Sequence, residues 1–208
     1  MVANTGSGRR LPSALETRIH LATLRCLARW GVSKTTLEDV AREAGCSRAT
    51  IYRAVSGGKA TLLNDVVDRE IARFLAEVDA AIAEETNLED LLVAAVTTAA
   101  RFIVDHEAFQ FLLAHEPDVV LPHLSFDRLG EAVQGAGAFF APHLARCLPA
   151  GTDTSRAGEW VARLVATYSL LPSDVVDVRQ DTHARHLVRT FVLPGLDRLA
   201  EASSTTGV

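Results

Sequence analysis

Three features of the sequence predict an all-α protein with an N-terminal three-helix helix-turn-helix domain and a C-terminal helical bundle. Apolar residues recur at intervals of three and four along nearly the whole chain, which is the period of an amphipathic helix. Capping sequences precede several of these runs, and glycine or proline follows them. No segment alternates apolar and polar residues as a half-buried strand would, so no sheet is expected.

Composition and cysteine content restrict the class of protein further. The 208 residues are 48% hydrophobic and 23% charged, as in ordinary globular proteins. No run of 18 or more uncharged apolar residues is present, which argues against a transmembrane helix, and the N-terminus lacks the apolar stretch of a secretory signal. The three cysteines are widely spaced and odd in number, so no disulfide framework is expected. We therefore expect a cytoplasmic protein that does not bind membranes.

Charge is divided unevenly along the chain. Residues 1–60 contain ten Lys or Arg and four Asp or Glu, a net charge of +6, whereas residues 61–208 carry a net charge of −11. A basic piece joined to an acidic one indicates a polyanion-binding module on a body that does not bind polyanions. Together with the helical periods, this predicts a disordered basic tail over 1–12, a helix-turn-helix domain over 13–58, a helical domain over 59–202 and a tail over 203–208.

The N-terminal domain contains three predicted helices. A Ser-x-x-Glu capping box at 13–16 begins the first helix, and Gly31 ends it. A Thr-x-x-Asp box at 36–39 begins the second, and Gly45 provides the turn to a third helix over about 48–55. The first helix also carries a basic stripe formed by Arg18, Arg25 and Arg29.

The C-terminal part contains six further predicted helices. Pro194 lies inside the last of them and should kink or locally unwind it, because proline has no backbone N–H. A connector is expected between the third and fourth. The six predicted ranges are about 59–85, 87–105, 107–115, 125–147, 154–171 and 181–202.

The second and third helices have the properties of a helix-turn-helix, in which the second helix buries one face and offers the other to the DNA major groove. Ile51 can bury against the preceding helix. Arg can pair with guanine, Thr with several base edges, and the Ala methyl with the thymine methyl. The side chains expected to face bases are those of Arg48, Ala49, Thr50 and Arg53. The alternative interpretation is a three-helix packing unit with a solvated basic face.

Phosphate contacts are expected from groups around the same helix. Hydroxyl and ammonium groups bind phosphate oxygens, and so does a helix N-terminus, which positions a protein on DNA without specifying sequence. The residues expected to make these contacts are Thr36, Tyr52 and Lys59. Ser47, which is expected to cap the third helix, is also predicted to bind DNA.

The segment TLEDVAREAGCSRATIYR over 36–53 is preceded by Trp30-Gly31 and followed by Lys59 and Leu62-Leu63. With these flanking residues it resembles the DNA-binding domain of the TetR (tetracycline-repressor-like) family of transcriptional regulators. The similarity covers about residues 13–70. It implies a homodimer, most often a repressor, whose N-terminal domains bind a palindromic operator in double-stranded DNA. The C-terminal domains would bind a small-molecule effector and each other, and the phosphate and base contacts would be those named above.

Two positions depart from the family pattern. The family usually has an aromatic residue three positions after the tyrosine, where this chain has Val55. The family lysine usually falls six positions after the tyrosine, whereas Lys59 falls seven after Tyr52. We expect the glycine pair at 57–58 to absorb the extra residue, because glycine is conformationally permissive.

Aromatic residues cluster in the C-terminal domain. Six of the eight Phe residues lie within 101–140, with several His residues near them. A bundle core lined by Phe and a few His could bind an apolar effector with one polar group; alternatively, the rings only fill the core. The candidate effector-binding residues are Phe102, His106, Phe109, Leu112, His115, Phe126, Phe139, His143, Trp160 and Tyr168.

Apolar stripes on the last two predicted helices suggest a dimer surface. Two chains that contribute two helices each would bury both stripes in a four-helix bundle, unless the stripes pack within one chain. The stripes consist of Trp160, Val161, Leu164 and Val165, and of Leu187, Val188, Phe191 and Val192.

Other classes of function have less support. No GxSxG, P-loop, HExxH or dinucleotide-binding sequence is present, so neither catalytic residues nor a cofactor is predicted. His183 and His186 have the spacing of a metal-ligand pair, but charged neighbours indicate an exposed helix start, and no metal site is predicted. The remaining alternatives are a helical interaction adaptor and a small-molecule-binding protein without specific DNA binding.

Overall fold

The computed structural model describes residues 13–120, 126–171 and 175–205. The chain is helical through these ranges and has no strand within them, which confirms the all-α prediction. It divides into two compact units between Asp68 and Arg69, inside the fourth helix. The N-terminal unit ends at Asp68 and the C-terminal unit begins at Arg69. The predicted tail over 1–12 lies outside the described residues.

The N-terminal unit contains the three predicted helices and the beginning of a fourth. Both predicted capping boxes are present: the Ser13 and Thr36 hydroxyls accept the first free N–H groups of their helices. Ile51 and Val40 are fully buried, so α2 and α3 pack their apolar sides into one core with α1. The helices are α1 Ala14–Lys34, α2 Leu37–Glu43, α3 Arg48–Ala54 and α4 Gly58–Ile82.

The first helix bends where the sequence predicts its end. Gly31 has a φ of 75°, and one short turn follows it to Lys34. The Thr35 hydroxyl donates a hydrogen bond of 2.6 Å to the Gly31 carbonyl and so supports this bend. The regular run of α1 therefore stops at Gly31, as predicted, and the turn to Lys34 continues beyond the kink.

In its described residues, the C-terminal unit contains the rest of α4 and seven further α-helices. The fifth helix is central: Leu91, Leu92 and Val96 are fully buried in the core of this unit. A short helix, α7, lies in the predicted connector, and the last helix runs to Thr205, into the segment predicted as a tail. The helices are α5 Leu88–Asp105, α6 Glu107–His115, α7 Pro117–Val120, α8 Phe126–Leu144, α9 Thr154–Leu170, α10 Asp181–Leu187 and α11 Leu193–Thr205.

Two glycines bring α8 and α9 into close contact. A Cβ atom built on Gly158 would lie 2.3 Å from the Gly137 carbonyl oxygen, and one on Gly137 would lie 2.9 Å from the backbone of Glu159. Real Cβ atoms do not approach that closely, so this helix crossing requires glycine at both positions.

The segment predicted as one last helix contains a π-helical turn over Val188–Val192 between α10 and α11. The Leu193 N–H donates to the Val188 carbonyl, five residues earlier, instead of to a carbonyl four residues earlier. The turn ends just before Pro194, whose ring would collide with the carbonyl four residues before it in a regular α-helix. The predicted local unwinding at Pro194 is therefore present and takes the form of a widened turn.

Candidate nucleic-acid interface

The third helix presents one row of side chains to solvent. Ser47 caps it by accepting the Thr50 N–H at 3.1 Å, and Ile51 is completely buried beneath it. Val55, which replaces the family aromatic, is also buried, so a smaller apolar residue closes the core there. The side chains of Arg48, Ala49, Tyr52 and Arg53 are exposed, and that of Thr50 is half-buried.

Glu38 of α2 contacts two of these exposed residues. Its Oε1 atom accepts a hydrogen bond from the Tyr52 hydroxyl at 3.0 Å and lies 3.0 Å from Nη2 of Arg48. The Arg48 guanidinium also lies over the Tyr52 ring, 5.5 Å from its centre. Glu38, Arg48 and Tyr52 therefore form one cluster on the exposed side of α3, which we call the Glu38 cluster.

The electrostatics of the Glu38 cluster favour a charged carboxylate. The pKa of Glu38 is lowered by a hydrogen bond from its own backbone N–H, then by the Tyr52 hydroxyl and by the charge of Arg48. Sequence reasoning missed Glu38. The available signal was that it is one of only four acidic residues among the first 60 and follows the Thr36 cap by two residues.

Two further groups that are expected to bind phosphate, Thr36 and Lys59, also have partners within the protein. The Thr36 hydroxyl donates to Oδ2 of Asp39 at 2.6 Å and accepts the Asp39 N–H at 3.2 Å, so it is fully engaged as a helix cap. Lys59 Nζ donates to the carbonyl of Val32 in the last turn of α1. A phosphate contact by Thr36 would replace an existing hydrogen bond, whereas Lys59 has two further N–H donors.

The arginines of the basic stripe on α1 bind groups at the end of α2. Arg18 donates to the Ala44 carbonyl from Nε at 3.1 Å and from Nη2 at 2.6 Å, and to the Gly45 carbonyl at 2.9 Å. Arg25 and Arg29 both face Glu43 at the end of α2. Part of the net charge of +6 is therefore used inside the N-terminal unit, and the sequence overestimates the positive charge available to a polyanion.

A cavity of about 310 Å³ in the C-terminal unit includes two of the candidate effector-binding residues, Phe102 and His106, in its wall. The rest of the wall is polar and charged, so the cavity differs from the expected apolar pocket. His106 is nearly buried, with Nδ1 accepting the Phe109 N–H at 3.1 Å and Nε2 lying 2.9 Å from Glu70 Oε2. The other residues lining the cavity are Arg73, Glu77, Thr98, Arg101 and Asp105.

The remaining effector candidates that the structure describes do not line this cavity. Phe109, Leu112, Phe139, His143 and Tyr168 are partly buried, whereas His115 is exposed and stacks on Phe111. Trp160 is 39% exposed. The side chain of Phe126 lies outside the described part of the structure.

Most of the residues in the two predicted dimer stripes pack within their own unit, as in the alternative interpretation of these stripes. Trp160 and Phe191 are exposed, and Leu164 is half-buried. The other five are buried in the core of their own unit, so their side chains are not available to a partner; they are Val161, Val165, Leu187, Val188 and Val192. Helical periodicity identified these residues as buried but could not show which helix covers them.

Among the described residues, no helix combines the length and the apolar character that crossing a membrane would require.

Comparisons with known proteins agree with the helix-turn-helix geometry. Residues 19–66 match the family described as bacterial regulatory proteins, tetR family. An uncharacterized HTH-type transcriptional regulator of Mycobacterium tuberculosis strain H37Rv is 27% identical over 203 residues, covering 97% of this chain and 94% of that protein.

Two solved structures share the fold. The TetR family repressor AlkX from Dietzia sp. strain DQ12-45-1b, implicated in biodegradation of n-alkanes, has a TM-score of 0.62 at 22% identity, covering 88% of this chain and 98% of its own. SmeT of Stenotrophomonas maltophilia, in complex with triclosan, has a TM-score of 0.56 at 19% identity, covering 91% of each chain. The family match on residues 19–66 and the regulator aligned along nearly the whole chain together support a TetR-family transcriptional regulator with a helix-turn-helix DNA-binding domain.

Proposed function

We propose that the protein is a homodimeric repressor that binds a palindromic operator in double-stranded DNA and is released by a small-molecule effector. The observation that carries the DNA-binding part is the exposed row on α3. Arg48, Ala49 and Arg53 face solvent while Ile51 on the opposite side is completely buried, so α3 can enter a major groove without loss of core packing.

The proposed contacts divide by chemistry. Base edges would be read by Arg48, Ala49, Thr50 and Arg53, since Arg can donate two parallel hydrogen bonds to guanine and Ala can contact a thymine methyl. Phosphates would be bound by Thr36, Ser47, Tyr52 and Lys59, which positions the helix without selecting a sequence. Ser47 and Thr50 hold each other through a hydroxyl pair at 2.8 Å, so these two would bind DNA as a unit.

A dimer would place two copies of α3 on one face of the duplex. With a two-fold axis, the centres of the half-sites should lie roughly 34–36 Å apart, or a multiple of one DNA turn. The exposed aromatic side chains of Trp160 and Phe191 in the C-terminal unit are the remaining candidates from the predicted stripes for contact with a partner.

An effector would act from the C-terminal unit. SmeT, a protein of the same fold, is known in complex with triclosan, which supports a small-molecule site in this protein as well. We propose that the cavity lined by Phe102 and His106 contributes to that site; the apolar nature of the effector stays a prediction. The effector can weaken DNA binding only if it binds more tightly to a conformation that fits DNA poorly. α4 joins the two units covalently and is the natural path for that coupling.

A binding titration tests this function. The full chain should bind a duplex from the region upstream of its own gene, and log K should fall linearly with log salt, by about 0.9 for each phosphate contacted. Arg48→Ala should weaken binding to that duplex by about 1–3 kcal/mol and relax preference at one base position. Tyr52→Phe is the matched comparison and should weaken all duplexes by a similar factor.

Two outcomes would contradict the proposal. If the wild-type protein has no salt-dependent affinity for any duplex at about 50 mM salt, the protein is better interpreted as an interaction adaptor or a small-molecule-binding protein. If Tyr52→Phe changes base preference, its assignment to phosphate is wrong. We further propose that the protein works in the cytoplasm and catalyses no reaction.

A further inference from the structure

We propose that Glu38 is a specificity-determining residue that keeps Arg48 and Tyr52 away from non-cognate DNA. The inference rests on the DNA contacts proposed above and assigns a function to a residue of α2 that is not itself among them. Glu38 acts through its two neighbours, so it is a positioning residue and not a base-reading one.

The geometry gives Glu38 control over two DNA-binding groups at once. A single oxygen, Oε1, accepts the Tyr52 hydroxyl and approaches the Arg48 guanidinium, each at 3.0 Å. Arg48 and Tyr52 are four residues apart on α3, so both side chains project from the same side of that helix. The placement of Arg48 over the Tyr52 ring joins the two neighbours to each other as well.

DNA must compete with Glu38 for both groups. The Tyr52 hydroxyl has one hydrogen, and it cannot be donated to Glu38 and to a phosphate at the same time. Arg48 must likewise turn from the carboxylate to reach a guanine. The cluster is exposed, with 73% of the Arg48 side chain and 38% of the Glu38 side chain accessible, so water and DNA can both reach it. Exposed pairs of this kind are weak enough to exchange.

The competition affects cognate and non-cognate DNA differently. A cognate guanine offers Arg48 two parallel hydrogen bonds, which replace the contact with Glu38. A non-cognate site offers Arg48 only a phosphate, which Glu38 can outcompete because its carboxylate is already in place. In a non-cognate complex, Glu38 therefore keeps Arg48 from contacting a phosphate. In the cognate complex, Arg48 leaves Glu38 and binds guanine.

The test compares wild type with Glu38→Ala on two duplexes: one that wild type selects from a randomised pool and one of random sequence. Affinity for the random duplex should rise about threefold to tenfold, and its salt dependence should steepen by about one unit of slope, because released Arg48 gains a phosphate. Affinity for the selected duplex should rise less and keep its slope. The ratio of the two affinities should therefore fall.

Three variants separate this function from a general effect of charge. Glu38→Gln keeps an acceptor oxygen and should give an intermediate result. Glu43→Gln removes the same charge from the same helix, where it faces Arg25 and Arg29, and should change both affinities by a similar factor. In an Arg48→Ala background, Glu38→Ala should no longer steepen the salt dependence. Thermal unfolding of each variant verifies that the N-terminal unit stays folded.

The inference is overturned if Glu38→Ala weakens binding to the selected duplex alone, since Glu38 would then read a base itself. It is also overturned if the gain persists unchanged without Arg48. Wild-type binding with no effect of Glu38→Ala would remove the inference and leave the proposed function intact. Absence of wild-type binding to any duplex would remove both.

Discussion

An ion pair in the N-terminal unit and another in the C-terminal unit differ in whether they can exchange partners or hold two helices together. In the N-terminal unit, Arg48 pairs with Glu38 on the exposed side of α3, where a nucleic acid could replace either partner. In the C-terminal unit, Arg185 pairs with Glu89 and Asp90, more than ninety residues earlier in the chain. The first kind of pair can exchange its partner, whereas the second holds α10 against α5.

The arginines of the N-terminal unit also differ among themselves in what they bind. Arg18 lies on α1 and binds carbonyl groups at the end of α2, so its charge serves the fold. Arg48 lies on α3 and has an exposed partner. The difference shows that a count of basic residues does not measure a DNA-binding surface; what each guanidinium already binds must be known.

The largest expected effect concerns packing in the C-terminal unit. Gly158→Ala should destabilise that unit by about 3 kcal/mol, because its Cβ would meet the Gly137 carbonyl and α8 and α9 would have to separate. Guanidinium unfolding of the full chain, followed by helical circular dichroism, measures this loss.

Gly135, which lies in α8 away from the contact with α9, provides the control. A Cβ on Gly135 would meet nothing within 4 Å, so Gly135→Ala should stabilise the helix by roughly 0.5–1 kcal/mol. Equal effects of the two substitutions would mean that the close crossing does not limit the packing of α8 on α9.

The next prediction separates the two classes of cation in the N-terminal unit. Arg18→Ala should lower the free energy of unfolding of that unit by about 2 kcal/mol, because charged hydrogen bonds to the Ala44 and Gly45 carbonyls are lost. Arg48→Ala should leave it within about 0.5 kcal/mol of wild type. Chemical denaturation measures both.

Arg18→Lys and Arg25→Ala refine this comparison. Lysine keeps the charge but lacks the fork that binds two carbonyls, so Arg18→Lys should lose most of the same stability. Arg25→Ala removes an exposed pair with Glu43 and should cost roughly 0–1 kcal/mol. A stable Arg18→Ala variant that binds DNA poorly would instead place Arg18 on the DNA.

The smallest expected effect is a pH dependence in the C-terminal unit. Hydrogen bonds from Arg189 and then Arg185 lower the pKa of Glu89, and Arg179 lowers the pKa of Asp177. A pKa lowered by folding contributes stability above its unfolded value, about 4, and loses it as the pH falls through the folded value. The melting temperature should therefore fall on acidification below about pH 4.

Glu89→Gln tests the source of that dependence. The variant should melt at a lower temperature than wild type at pH 7 and should lose less further stability between about pH 4 and pH 2, because one titrating group is gone. An acid transition that keeps its full size in the variant would show that Glu89 does not contribute to it.

Sequence reasoning succeeded where the signals are local. Capping boxes at Ser13 and Thr36 and the turn at Gly45, whose φ is 62°, lie within a few residues of the structure they determine. It failed where a partner lies far along the chain. The contact between Lys59 and the Val32 carbonyl, 27 residues apart, has no signature in the spacing of residues.

The residues of the predicted dimer and effector surfaces were chosen from patterns that do not identify their neighbours. The apolar period correctly marks Val161 and Val188 as buried, but the same period serves a core and an interface equally well. The aromatic cluster likewise indicated Phe102 and His106 but could not show that arginines and carboxylates would share the cavity. Which helix packs against each apolar stripe can be seen only in the three-dimensional structure.

The widened turn before Pro194 affects the rotation of α11 about the helix axis. Val188, Val192, Leu196 and Ala200 are all buried and follow one another at intervals of four. In a helix with 3.6 residues per turn, that interval would drift around the axis by about 40° at each step. The π-helical turn has more residues per turn than an α-helix, so each residue rotates the chain by a smaller angle. It therefore compensates for part of this drift and keeps the buried residues nearer to one side of the axis. Five residues of π-helix turn the chain about as far as four of α-helix, so deleting one residue within 188–192 should restore a regular helix and leave α11 in nearly the same orientation.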